Sequence, residues 1–345
     1  MIKLKFMFEI LNMFLLALGA MIGVGFLSGA EIWSFFARFG DNFAFSILTI
    51  FVLLFVFLYK IMRINHEQNN IVILQKCLKN PPKNAILVKS KIRQLLLNFN
   101  ILLLASAMFS GLRNVIDELF LNNKILIFVL IVFLIFIVLS IGTSAVSKFN
   151  ILIISAFFSL LILIGMRFDV FAKSSLESLS IIKNISANGA FESVLFAAIY
   201  IFLNIAQLVP IFKESKIRFS KKGMLCFSLL FSLVFCFLIT ILTLFLAGNS
   251  YLTSLSMPLL SFFIDVGGLW EIVFVAAIVG GLLSTLLVCL MGLKSSLKRR
   301  IKSPILASYI AIIFSLLFGF FPFSFFINVV YPIIGVISFV TFVLL

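Results

Sequence analysis

The chain has 345 residues, 63% of them hydrophobic and 11% charged, with a formal net charge of +15. A typical soluble domain carries about 25% charged residues, so this composition excludes a soluble enzyme, a disordered chain and a secreted disulfide scaffold. A helix needs about 20 apolar residues to cross a bilayer, and the apolar total suffices for about ten such spans joined by short loops. In such a chain the positive charge reports the positive-inside rule rather than nucleic-acid binding. The cysteines Cys77, Cys226, Cys236 and Cys289 form no C-x-x-C pair, and His66 is the sole histidine. Neither a zinc site nor a disulfide framework follows from that set.

In chain order the apolar runs predict ten spans, at about 6–38, 42–60, 95–115, 124–142, 149–166, 191–211, 224–247, 268–292, 304–320 and 325–345. The first begins after Lys3 and Lys5, and Ser28-Gly29-Ala30 resembles a signal-peptidase site. The run is longer than a signal core and more spans follow, so it reads as a first span. With the N-terminus cytoplasmic, 21 of the 27 Lys and Arg residues fall inside and nine of the 12 acidic residues fall outside. That separation predicts both termini in the cytoplasm. Long loops are expected at 61–94 and 248–267, after the second and seventh spans. These are equivalent positions on opposite faces if the chain is two inverted five-span halves, 6–166 and 191–345, joined by a linker at 167–190. The whole is one membrane domain over 1–345.

The first span carries Gly19-Ala20-Met21-Ile22-Gly23-Val24-Gly25-Phe26-Leu27-Ser28-Gly29-Ala30-Glu31. A continuous helix over 6–38 would be about 50 Å long, more than the hydrocarbon thickness. Gly23 and Gly25 are the natural break points. Backbone unwound inside a membrane survives where it lines a cavity, and its freed carbonyls and N–H groups can hold ions or a solute at Gly23, Val24 and Gly25. Close helix packing through small residues explains the same glycines equally well. Glu31 either meets a proton or a solute ammonium, or sits at the interface near Arg38.

The sixth span holds Tyr200, Asn204 and Gln207 on one face, with Asn204 about 13 Å from the inner boundary set by Lys213. The stripe is either one wall of a solute site or hydrogen-bonding glue between helices. In the eighth span Gly280-Gly281 lie one turn before Ser284 and Thr285. A carbonyl and two hydroxyls converging there would suit sodium, and back-bonding of the hydroxyls along the helix is the plainer alternative.

The run 19–40, with Gly-Val-Gly-Phe-Leu-Ser-Gly-Ala-Glu-Ile and then Phe35-Phe36-Ala37-Arg38-Phe39-Gly40, resembles the opening of the YkvI-like bacterial membrane proteins. These are distant relatives of the amino acid–polyamine–organocation transporters. Ala107-Met108-Phe109-Ser110-Gly111, Tyr200-Ile201-Phe202-Leu203-Asn204, Met257-Pro258-Leu259 and Ser284-Thr285 continue the resemblance over nearly the full chain. Leu27 and Ala30 depart from the expected pattern. The resemblance implies an all-α, LeuT-like 5+5 inverted repeat with broken first and sixth helices around a central site. It also implies a sodium ion held by the carbonyls of Gly19, Ile22 and Gly281 and the hydroxyls of Ser284 and Thr285. The expected function is sodium-coupled symport of a small polar or zwitterionic, amino-acid-like solute across a bacterial inner membrane. The expected partners are that solute, the coupling cation and lipid, with no other cofactor and no enzymatic reaction. A sensor or assembly component that kept the transporter fold is the alternative.

The charge asymmetry makes a direct prediction. Single cysteines placed in 61–94 or 294–302 should resist a membrane-impermeant thiol reagent in intact cells, and one placed in 248–267 should react. Labelling of the 61–94 segment would contradict the ten-span topology.

Overall fold

The computed structural model describes residues 2–77, 85–119, 122–141, 187–214, 219–249, 257–298 and 303–343, with isolated positions between them. Helices make up the described chain and no strand occurs among those residues. The first span comprises α1 (Ile2–Met21), the short turns α2 (Val24–Leu27) and α3 (Ala30–Phe35), and a 3₁₀ segment, Ala37–Asn42. There follow α4 (Phe43–Cys77), α5 (Ala85–Leu119), α6 (Lys124–Ile141), α7 (Ala187–Glu214), α8 (Lys221–Gly248), α9 (Pro258–Val266), α10 (Gly268–Leu297) and α11 (Pro304–Phe318). The last span is α12 (Phe323–Phe325), a π-helical turn over Phe326–Val330, and α13 (Tyr331–Val343).

Seven helices among the described residues are long and apolar enough to cross a membrane, and Met7–Met21 and Pro304–Phe318 are shorter apolar helices. Their outward faces are apolar: Ile125, Leu126, Val129, Leu130 and Phe133 of α6 are all exposed. Water does not tolerate such a surface and acyl chains do. The chain is a multi-pass membrane protein. The expected fifth span, 149–166, and nearly all of the expected linker, 167–190, lie outside the described residues.

Two stretches expected as loops contain helix. Over 61–94, α4 continues to Cys77 and α5 starts at Ala85. No strong breaker occurs in this stretch until Pro81-Pro82, where missing N–H groups stop a helix. Within 248–267, Pro258 opens α9 at its first turn, a position where proline's missing donor costs nothing.

The first span runs through the middle of the bundle. α1 packs on α7 and α10, α2 on α10, and α3 on α7 and α8. From Ala17 to Ile32 nearly every described side chain is buried. Around this centre α4 packs against α7 and α8, α5 against α10, and α13 against α7. Some of the polar groups between helices are paired. Ser46 Oγ donates to Ser193 O at 3.1 Å, Asn98 Nδ2 to Ser296 Oγ at 2.7 Å, and Asn100 bonds Ser338.

The α7–α13 contact depends on close backbone approach. A Cβ added at Gly335 of α13 would lie 2.7 Å from the Ile199 carbonyl oxygen of α7. Gly335→Val should therefore destabilise the fold by about 1–3 kcal/mol through overpacking. Thermal unfolding in detergent checks this against Val336→Ala on the exposed side of the same helix, which should melt close to the parent.

Candidate functional site

Helix α1 stops at Met21, the chain leaves helical geometry at Ile22 and Gly23, and α2 resumes at Val24. Glycines at 19, 23 and 25 around β-branched Ile22 and Val24 make this the weakest helix-forming stretch of the span. The last four carbonyls of a helix have no partner within it, and that end carries partial negative charge. The break at Ile22-Gly23 thus presents electronegative oxygen in the centre of an apolar bundle.

Thr285 of α10 meets it. Its hydroxyl lies 2.9 Å from Gly19 O, 3.2 Å from Ile22 O and 3.1 Å from Gly281 O, and the side chain is 1% exposed. A hydroxyl has one proton and so cannot serve three carbonyls fully. The cluster holds more acceptor lone pairs than donors, an arrangement complementary to a small cation. Ser284 Oγ, one residue earlier and fully buried, has no hydrogen-bond partner. Gly19, Ile22, Gly281 and Thr285 are therefore brought together, with an unsatisfied Ser284 beside them. Gly23 adjoins the same cluster, its Cβ position lying 3.6 Å from Thr285 Oγ1.

Outward of the break, a second polar cluster forms. Gly29, with φ +83°, makes the left-handed turn between α2 and α3 that a Cβ would strain. Ser28 steadies this turn: its Oγ donates to Gly25 O at 3.2 Å and its carbonyl accepts from Leu259 N at 2.8 Å. The turn folds Glu31 back over Gly25, where a Cβ would overlap the carboxyl. Glu31 is 4% exposed, so it is an interior residue rather than an interfacial one. Arg38 does not approach it. The guanidinium lies over the rings of Phe39 (4.8 Å) and Phe196 (4.2 Å) and faces Glu192. The Glu31 carboxyl instead faces the hydroxyls of Tyr200 and Tyr331. Both tyrosines are fully buried, and neither hydroxyl has a hydrogen bond of good geometry.

The polar stripe of α7 behaves differently from its expectation. The sixth span is not interrupted, since α7 is continuous from Ala187 to Glu214. Asn204 Nδ2 donates to Tyr200 O at 3.1 Å on its own helix, and Gln207 Nε2 donates to Asn204 Oδ1 at 3.1 Å. Cys289 Sγ of α10 reaches Gln207 Oε1 at 3.5 Å. Asn204 and Gln207 find partners within the helix and on one neighbour, so nothing in them forces the helix open. Tyr200 joins the Glu31 cluster, and Asn204 adjoins the Tyr200 hydroxyl. The Val24 side chain is outside those described.

Tyr331 and Cys289 escaped the sequence reading. The signal for Tyr331 was its neighbour Pro332, whose missing N–H leaves the helix ladder one bond short. The π-helical turn at Phe326–Val330 immediately precedes it, and such turns re-aim the residues that follow.

No family model matches the chain, and no curated protein matches it. Among solved structures it is similar to the crystal structure of MhsT in complex with L-phenylalanine. The likeness has a TM-score of 0.61 at 15% identity, covering 95% of this chain and 87% of that one. It shows a LeuT-like fold. The resemblance to YkvI-like proteins rests on the sequence motifs alone.

Proposed function

We propose that the protein is a secondary active transporter of a small polar or zwitterionic, amino-acid-like solute, driven by sodium through alternating access. The observation that carries this reading is the convergence of Gly19 O, Ile22 O and Gly281 O on the Thr285 hydroxyl. The Gly281 contact is by itself back-bonding along α10, and the Gly19 and Ile22 carbonyls at the end of α1 are the ones short of donors. Here neutral oxygen from two helices converges, and the Ser284 hydroxyl, next in sequence to Thr285, is buried without a partner. Hard cations take such ligands, and the absence of a carboxylate from this set favours a single positive charge. The fold supports the same reading, and the similar structure was solved with L-phenylalanine.

The working arrangement is ten spans in two inverted halves, 6–166 and 191–345, in a bacterial inner membrane with both termini cytoplasmic. Sodium, as co-substrate, bridges the end of α1 to α10. With the ion bound, the central first span is tied to α10 and one arrangement of the bundle is favoured. Loss of the ion to the cytoplasm removes that tie and lets the two move apart. A gradient drives solute only through this difference in affinity between arrangements.

Ser284→Ala combined with Thr285→Val removes both hydroxyls and keeps their volume. Uptake of labelled amino acids into proteoliposomes, titrated with sodium, should show half-saturation at sodium concentrations raised about tenfold or more, corresponding to about 1.4 kcal/mol or more of lost binding. Unchanged sodium dependence would remove the ion from this position.

A further inference from the structure

The ends of three helices meet at one corner of the bundle, away from the first-span break. Helix α6 ends at Ile141, α10 ends at Leu297, and α11 begins at Pro304. Two contacts set them at one level. Lys294 of α10 donates its Nζ to the Leu139 carbonyl in the last turn of α6, where a helix leaves its carbonyls without partners. Deeper in the apolar region, Phe136 of α6 stacks on Tyr309 of α11 with centroids 4.3 Å apart. Phe136 is five residues before the end of α6 and Tyr309 five residues after the start of α11, so both helices reach the membrane boundary together.

Charge at this corner is unbalanced. The stretch from Lys294 to Lys302 carries five basic residues, and no Asp or Glu occurs from Ile272 to Leu345. Lys294 is 8% exposed, with its ammonium committed to the end of α6. Lys298 follows four residues later, on the same helix face, and is exposed. It makes no ion pair among the described residues. Like charges at that spacing repel. Orienting the chain calls for cations on this side of the membrane, but not for one buried beside another. An anion against Lys298 would relieve the repulsion. Ile137 and Ile141 of α6, with Ile305 and Leu306 of α11, expose apolar surface at the same level. A soluble anion would use the lysine alone, whereas a lipid would use the cation and the apolar flank together.

We propose that this corner binds one anionic phospholipid, with its phosphate against Lys298 and its acyl chains along the seam between α6 and α11. The leaflet is the one facing the α10–α11 link, which is cytoplasmic in the arrangement proposed above. The bound lipid ties the ends of three helices to one molecule. Its site is separate from the oxygen cluster, since Lys294 lies about 14 Å along α10 from Thr285. Lipid binding therefore stands or falls independently of sodium binding and of transport.

The test is thermal unfolding of delipidated, detergent-purified protein at constant sodium. Separate titrations use dioleoylphosphatidylglycerol, dioleoylphosphatidylcholine and glycerol 1-phosphate. Phosphatidylglycerol should raise the melting temperature at concentrations about tenfold or more below those of phosphatidylcholine. Glycerol phosphate, a head without chains, should leave it unchanged. Lys298→Glu should weaken the phosphatidylglycerol response about tenfold or more. Lys221→Glu, the same reversal at an exposed lysine opening α8, should not change it. The variants must first elute as monodisperse protein. Lys298→Gln, a milder change that should weaken the response about fivefold, carries the test if Lys298→Glu does not. Equal responses to the two lipids would overturn the proposal, as would a response unchanged by the Lys298 substitutions. Equal weakening by both charge reversals would also overturn it, because overall charge rather than this corner would then attract the lipid. Stabilisation by glycerol phosphate to the same extent as by the lipid would assign the corner to a soluble phosphate and overturn the lipid site.

Discussion

Where the first span leaves helical geometry, the carbonyls of Gly19 and Ile22 meet the Thr285 hydroxyl, which also reaches Gly281 O one turn back on its own helix, so one hydroxyl proton faces more oxygens than it can serve. The surrounding architecture follows from keeping that imbalance buried. A helix ending in the middle of a bilayer exposes carbonyls that no water or lipid can satisfy. The bundle answers by enclosing the first span between α7 and α10 and by directing Thr285 at the break. The contact is nonetheless underdonated. Side-chain substitution at 19 or 22 would not remove it, because the oxygens belong to the backbone.

The Glu31 cluster depends on the same break. Ending α1 at Met21 frees the chain to turn at Gly29, and that turn lays Glu31 over Gly25 beneath two tyrosines. A continuous helix through this stretch would place residues 25 and 31 on different turns, about 9 Å apart along the axis. The two polar clusters are therefore neighbours by construction, one at the break and one just outward of it.

The sequence was most legible where hydrophobicity carried the information. The apolar runs coincide with the described apolar helices, although α4 and α5 continue well past their expected ends, and the glycine cluster lies at the stretch where α1 stops. The approach of Thr285 to the end of α1 came only from the family resemblance, because Ser284-Thr285 after Gly280-Gly281 fit back-bonding along the helix equally well. The sixth span was misread for a physical reason. Asn204 and Gln207 look unsatisfied in a linear pattern, yet i,i+3 and i,i+4 spacing lets Gln207 donate to Asn204 and Asn204 to the Tyr200 carbonyl without opening the helix. The helical continuation of 61–94 was hidden by its charge, which reads as loop even when no residue breaks the helix. Tyr331 went unnamed because Pro332 beside it marks only a local irregularity, whereas its place against the first span comes from α13 reaching across the bundle.

The central claim is that the oxygen cluster at the break binds sodium, and sodium-dependent stability tests it most directly. A ligand that binds only the folded state raises stability as its concentration passes its dissociation constant. Melting of the purified protein should rise with sodium at constant total chloride when potassium replaces it, and should do so in the absence of any solute. A melting temperature identical in sodium and potassium across that titration would contradict the account.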